Sequence, residues 1–161
     1  MRFRKTALLA MLVSIAGCAR EQQPPLPAVP SVARAAPPSG SPPPLSSARF
    51  VSENGSIDLF VIRSSELALE RSSSARVRDF ASQMIEAHKG TGAQLSFAGR
   101  RLNLLPSATL LPPEQAMLDG LQASSRFDAD YVRDQRSVHQ RAIALDSAYA
   151  ANGPSPTLRP V

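Results

Sequence analysis

Histidines and carboxylates are the side chains here that could do chemistry, and their spacing decides how much. The 161 residues hold two histidines, His88 and His139, thirteen carboxylates and one cysteine, Cys18. Imidazoles among carboxylates invite metal or acid–base chemistry. A di-metal centre in a helical bundle needs inward carboxylates with Glu-x-x-His pairs, because ligands three residues apart on one helix face share the metal pair. Neither histidine meets that rule: Ile85 stands three residues before His88, and Arg136 three before His139. Glu86, His88 and His139 are the nearest approach to a ligand set, and no metal or other cofactor is expected. A hydrolytic triad requires Ser, His and Asp to converge. Serines are abundant, but no Gly-x-Ser-x-Gly or Ser-x-x-Lys pattern occurs. A Walker loop and a Rossmann glycine pattern are also absent. No catalytic residue is assigned, and a binding or structural role outranks an enzymatic one.

Helices must position these groups. Ile57, Val61, Ser64 and Ala68 step by four, three and four, so they line one helix face, with Phe60 and Leu67 beside them. Ser72-Ser73-Ser74 interrupts the pattern and supplies a cap for the next helix. There Val77, Ala81, Met84, His88, Thr91, Leu95, Ala98 and Leu102 alternate steps of four and three, the seam of an antiparallel pair. His88 on that seam reads as a half-buried histidine bonded to a neighbouring polar group. A hairpin about Ser73 sets Val61 level with Met84 and His88. Pro112-Pro113-Glu114 reads as the start of a short helix. Ser125, with Asp128 three residues on, is the expected cap of a last helix whose stripe is Tyr131, Gln135, Val138, Ala142, Leu145 and Tyr149. His139, one step off that stripe, reads as a solvated edge residue. Asn152-Gly153-Pro154 is the stop. Gly90 and Gly92 suit either close helix approach or a local bend. No stretch alternates with period two, so the domain reads as all-α, an up-and-down bundle.

The N-terminal part has another character. Arg2, Arg4 and Lys5 precede an apolar run from Ala7 to Ala16 that is too short to span a bilayer but suits a signal peptide. Ile15-Ala16-Gly17-Cys18 resembles the lipobox of a bacterial lipoprotein. The resemblance implies cleavage between Gly17 and Cys18, lipid attachment at Cys18, and, with Ala19 following, residence in the outer membrane facing the periplasm. Residues 1–17 are then the signal, and 18–46 the lipidated cysteine plus a disordered linker. Nine prolines fall between Pro24 and Pro44; such a segment cannot bury enough surface to fold and extends up to about 85 Å. Residues 47–161 form the domain. The net charge of +5 (18 basic minus 13 acidic) loses the three signal-peptide cations, leaving +2 without a basic block. Trp is absent, and the tyrosines and phenylalanines sit at helical core spacing. A nucleic-acid partner is not expected.

Ser64-Ser65-Glu66-Leu67-Ala68-Leu69, Val77-Arg78-Asp79-Phe80-Ala81 with Met84 and His88, and Phe127-Asp128 with Tyr131 and His139 follow one another in order. Together they resemble the bacterial envelope proteins grouped as domain of unknown function family 4142. The resemblance implies an antiparallel ferritin-like helical bundle over residues 49–161 and marks Phe80, Met84, His88, Phe127, Asp128 and Tyr131 as motif and core positions. It names no activity. This chain has Val61 where the family often has an acid, and Ala87-His88 where an Asp-His pair is usual. Ser155-Pro156-Thr157 looks like the opening of a further family helix that carries another histidine, so the bundle is expected to be incomplete at its C-terminus. A groove lined by Ile57, Met84, Val138, Leu145 or their neighbours would then be open to a protein partner or to self-association. The alternatives are a metal-dependent redox protein and a truncated, weakly functional family copy.

Overall fold

The computed structural model describes residues 45–161; Gly17, Cys18 and residues 19–44 of the linker lie outside them. Within the described residues there are four helices and no strand: α1 (Ser47–Arg71), α2 (Ala75–Arg100), α3 (Pro112–Ala123) and α4 (Phe127–Asn152). None of these helices is long and apolar enough to cross a membrane. The bundle is all-α, as the periodicity requires.

The helix starts follow local chemistry. Ser46 caps α1 by accepting the Arg49 N–H at 3.2 Å. Of the three serines before α2, Ser74 is the cap, accepting from Val77 N at 3.4 Å. Pro112 and Pro113 open α3, where a missing N–H costs nothing. Ser125 does not cap α4. The cap position is Arg126, without a side-chain bond. Ser124 organises the turn instead: its hydroxyl accepts from Arg126 N at 3.0 Å and donates to Asp130 at 2.6 Å. Asp128 and Asp130 then sit in the first turn, where the helix dipole favours negative charge. The Ser124 hydroxyl, seconded by Arg133 and Arg126, holds the Asp130 carboxyl below its ordinary range.

α1 is the hub. It packs on α2, α3 and α4, whereas α2 and α4 barely touch. Small residues make this possible: Gly55, Ser56, Ser64, Ser65 and Ala68 are buried along α1 beside Phe50, Ile57, Phe60 and Val61. One core cluster joins Phe60, Val61, Ala81, Leu118, Leu121, Phe127, Tyr131 and Val138. A second, at the other end, joins Phe50, Leu95, Ala98, Tyr149 and Leu158.

The long α2 stripe is only partly buried. Ala81, Ile85, Leu95 and Ala98 are covered, Met84 and His88 are half-buried, and Thr91 and Leu102 are exposed, Leu102 beyond the helix end. A strict seven-residue repeat drifts about 20° per heptad around a straight helix, so a stripe that long leaves its partner. Phe80, expected in the core, is 37% exposed. It stands where α2 and α4 diverge, and the Tyr131 ring meets it edge-on at 6.2 Å. The open stripe is also narrower than expected. Ile57 and Val138 are buried, and of the four expected groove residues only Met84 and Leu145 remain half-exposed. Residues 156–160 make turns, with Leu158 N bonded to Ser155 O at 3.2 Å, and place Leu158 fully inside the second cluster.

Candidate functional site

Three helices bring polar side chains together between the two core clusters. α1 contributes Asn54 and Asp58, one turn apart; α2 contributes His88 and Thr91; α4 contributes His139 and Asp146. His88 Nδ1 and Asp58 Oδ1 are 2.7 Å apart, and the same oxygen accepts the Thr91 hydroxyl at 2.9 Å. His88 Nε2 stands 3.3 Å from His139 Nε2, with the two rings nearly perpendicular. His139 Nδ1 lies 2.7 Å from the Gln135 carbonyl oxygen one turn back. Asn54 Nδ2 donates to Asp146 Oδ1 at 2.8 Å. Partial desolvation raises the Asp146 carboxyl above its ordinary value, with the Asp58 charge adding to the rise and Asn54 opposing it.

His88 is therefore half-buried and tied to a polar neighbour, as its place on the seam suggests. Its neighbour is not at the expected level. Val61 is wholly inside the core, and Asp58, about one turn (~5.4 Å) away along the helix, meets the imidazole. His139 is not a solvated edge residue: it is half-buried and faces His88. Glu86 is exposed, reaches only Lys89 at 3.4 Å, and is separate from the pair. Phe127 and Tyr131 are core, stacked at 6.0 Å, and burial raises the Tyr131 phenol above its usual value, so it stays protonated and bonded to Ser65 at 2.8 Å. Asp128 is half-buried in the first turn of α4.

A second polar node escaped the sequence reading. Glu114 is 1% exposed, accepts the Ser56 hydroxyl at 2.7 Å and pairs with Arg141. Ser56 also accepts from Leu111 N at 2.8 Å, tying the loop to α1. Arg71 closes α3, donating to the carbonyls of Leu121, Gln122 and Ser124 at 2.7–2.8 Å while its guanidinium covers the Phe127 ring.

The chemistry open to these groups is limited. Among the described residues neither histidine is bonded to a serine hydroxyl, so no Ser–His nucleophile pair forms. No three His, Cys, Asp or Glu side chains among them gather as ligands of a metal ion. A di-metal centre, which the resemblance to ferritin-like bundles would imply, does not fit these residues: Glu114 is spent on Arg141 and Ser56, and Asp58 on His88 and Thr91. Beside His139, the gap between α2 and α4 opens as a groove of 420 Å³ lined by Phe80, Met84, Val132, Gln135, Arg136 and His139. Gln135 is buried; its amide donates to Ser64 at 2.9 Å, and its Oε1 has no partner among the described residues.

Among known proteins, the family model described as Domain of unknown function (DUF4142) matches residues 30–161. No curated protein and no solved structure matches the chain.

Proposed function

The chain belongs to the family described as Domain of unknown function (DUF4142), and from that premise we propose that it is a lipid-anchored envelope protein whose helical domain binds a partner. The observation that carries the binding role is the α2–α4 groove. Phe80 of α2 and Val132 of α4, 37% and 44% exposed, stand on its two sides, and Met84 and Arg136 also line it. Large apolar side chains gathered around one groove, rather than scattered singly, suit a docking surface. An apolar groove between two helices suits an amphipathic helical segment of a partner protein, read by apolar anchors one turn apart. Methionine adapts to such a partner, and Arg136 meets an acidic residue on it. The tether rests on Ile15-Ala16-Gly17-Cys18: diacylated cysteine holds a protein at a membrane because each buried CH₂ contributes about 0.8 kcal/mol. Ala19 after the cysteine favours the outer membrane, facing the periplasm.

A photo-cross-linking side chain at Val132 in intact cells tests the groove. A discrete adduct with another protein, lost in Phe80→Glu, supports this reading; an adduct of twice the chain mass makes the occupant a second copy. Recovery of the uncross-linked chain alone overturns it. Cys18→Ser tests the tether: the variant should leave the membrane fraction or accumulate uncleaved, and unchanged attachment and processed mass would refute it.

A further inference from the structure

The hydrogen bonds around His88 and His139 leave the two Nε2 atoms in a conflict that a cation resolves. The Gln135 carbonyl can only accept, so His139 Nδ1 carries the proton in that 2.7 Å contact. The Asp58 carboxylate likewise only accepts, so His88 Nδ1 carries the proton there. Neutral imidazole has one N–H, which leaves both Nε2 atoms as bare acceptors. Yet they face each other at 3.3 Å. Two lone pairs at that distance repel unless a positive species lies between them. That species is either a proton held on one ring, which makes an N–H···N hydrogen bond, or a metal ion. The separation suits the ion as well. Two nitrogens each about 2.0–2.1 Å from a tetrahedral zinc ion lie about 3.3 Å apart.

We propose that His88 Nε2 and His139 Nε2 are the two protein ligands of a single divalent ion of the zinc class. The surroundings have what such ligands need. Both imidazoles donate their other N–H to an acceptor, one a carboxylate and one a backbone carbonyl, the arrangement that orients and strengthens metal-bound histidines. The His88 and Asp58 side chains are only 13% and 15% exposed, so the carboxylate charge opposes that of the ion in a partly desolvated place. Gln135 Oε1, buried and without a partner among the described residues, belongs to the residue that orients His139 and lines the groove with it. With two protein nitrogens the ion keeps positions for water or for a donor group brought by an occupant of the groove. This is one ion on two imidazoles, distinct from the carboxylate-bridged pair that these helices do not accommodate. It also reverses what the histidine spacing led us to expect, and it stands whether or not the chain is lipid-anchored.

Titration of the chelator-stripped full-length protein with Zn²⁺ against a chromophoric competitor tests the site. The chain has two histidines, so ¹⁵N resonances of the imidazoles report it without ambiguity. One ion per chain should bind and shift both Nε2 resonances. His88→Gln and His139→Gln should each weaken binding at least tenfold, Asp58→Asn should weaken it roughly 10–100-fold, and Glu86→Gln should leave it unchanged. Co²⁺ in the site should show the visible ligand-field band of a four-coordinate centre, absent from His139→Gln. If either variant fails to fold, the shift of both wild-type Nε2 resonances still decides. An absence of saturable binding, binding that leaves those resonances in place, or binding undiminished in a folded His139→Gln would each overturn the proposal. So would a metal-free pair that shares a proton and takes up no ion.

Discussion

Two carboxylates illustrate how environment, rather than residue type, sets what a side chain does. Glu114 is buried because it has two partners, Ser56 and Arg141, and breaking a buried pair leaves a charge uncompensated. Arg141 is 43% exposed, so the loss in Arg141→Met should sit at the low end for such pairs, up to about 3 kcal/mol, measured by denaturant unfolding. Asp146 is the opposite case. Its folded-state value is raised, so the folded protein holds that proton more tightly than the unfolded chain does. Stability is therefore gained as pH falls through the raised value and lost as pH rises through it. Asp146→Asn keeps an acceptor for Asn54 without the ionisation penalty. The variant should melt slightly above the wild type at neutral pH, and the gap should close as pH falls towards 3.8, the ordinary value. Because Asp146 is exposed, the gap should be small; a variant that melts lower at neutral pH would show that the carboxylate stabilises the fold.

At the scale of elements, glycine separates close approach from mere tolerance. A Cβ on Gly55 would stand 2.5 Å from Pro106 Cβ, so this glycine lets the returning loop lie on α1. A Cβ on Gly90 would meet nothing within 4 Å among the described residues. Of the two uses that Gly90 suggests, close approach is excluded. Alanine is favoured over glycine in a helix by about 0.8–1 kcal/mol. Gly90→Ala should therefore raise the melting temperature, while Gly55→Ala should lower it despite the same propensity gain. Thermal unfolding of both variants checks the contrast, and a lowered value for Gly90→Ala would mean that the helix bends there.

The whole molecule is held by α1, and that has a consequence for where substitutions hurt. Phe60 on the hub is fully buried and belongs to the larger core cluster, whereas Phe80 stands on the open side of α2. Phe60→Ala should cost about 3–5 kcal/mol, a large part of the stability of a small domain. Phe80→Ala should shift the melting temperature by only a few degrees, at about 4–8 °C per kcal/mol for a domain somewhat smaller than this one. Equal losses at the two positions would mean that α4 closes on α2 in solution, which would also remove the groove.

Sequence alone determined the helices, most of their ends and the hub's apolar face, because those depend on interactions within a turn or two of chain. Ser74, Pro112 and Asn152 mark their boundaries by local chemistry that needs no partner. The pairing of Asp58, His88 and His139 was decided only by the tertiary structure. These groups are 30 and 51 residues apart along the chain. Whether they meet depends on the rotation and axial offset of three helices to within part of a turn. Periodicity assigns a face but leaves the offset open, so a slip of about one turn put Val61 where Asp58 stands. The packing of Phe60, Val61, Tyr131 and Val138 sets that offset, and such packing is the sum of many small contacts that no single residue announces.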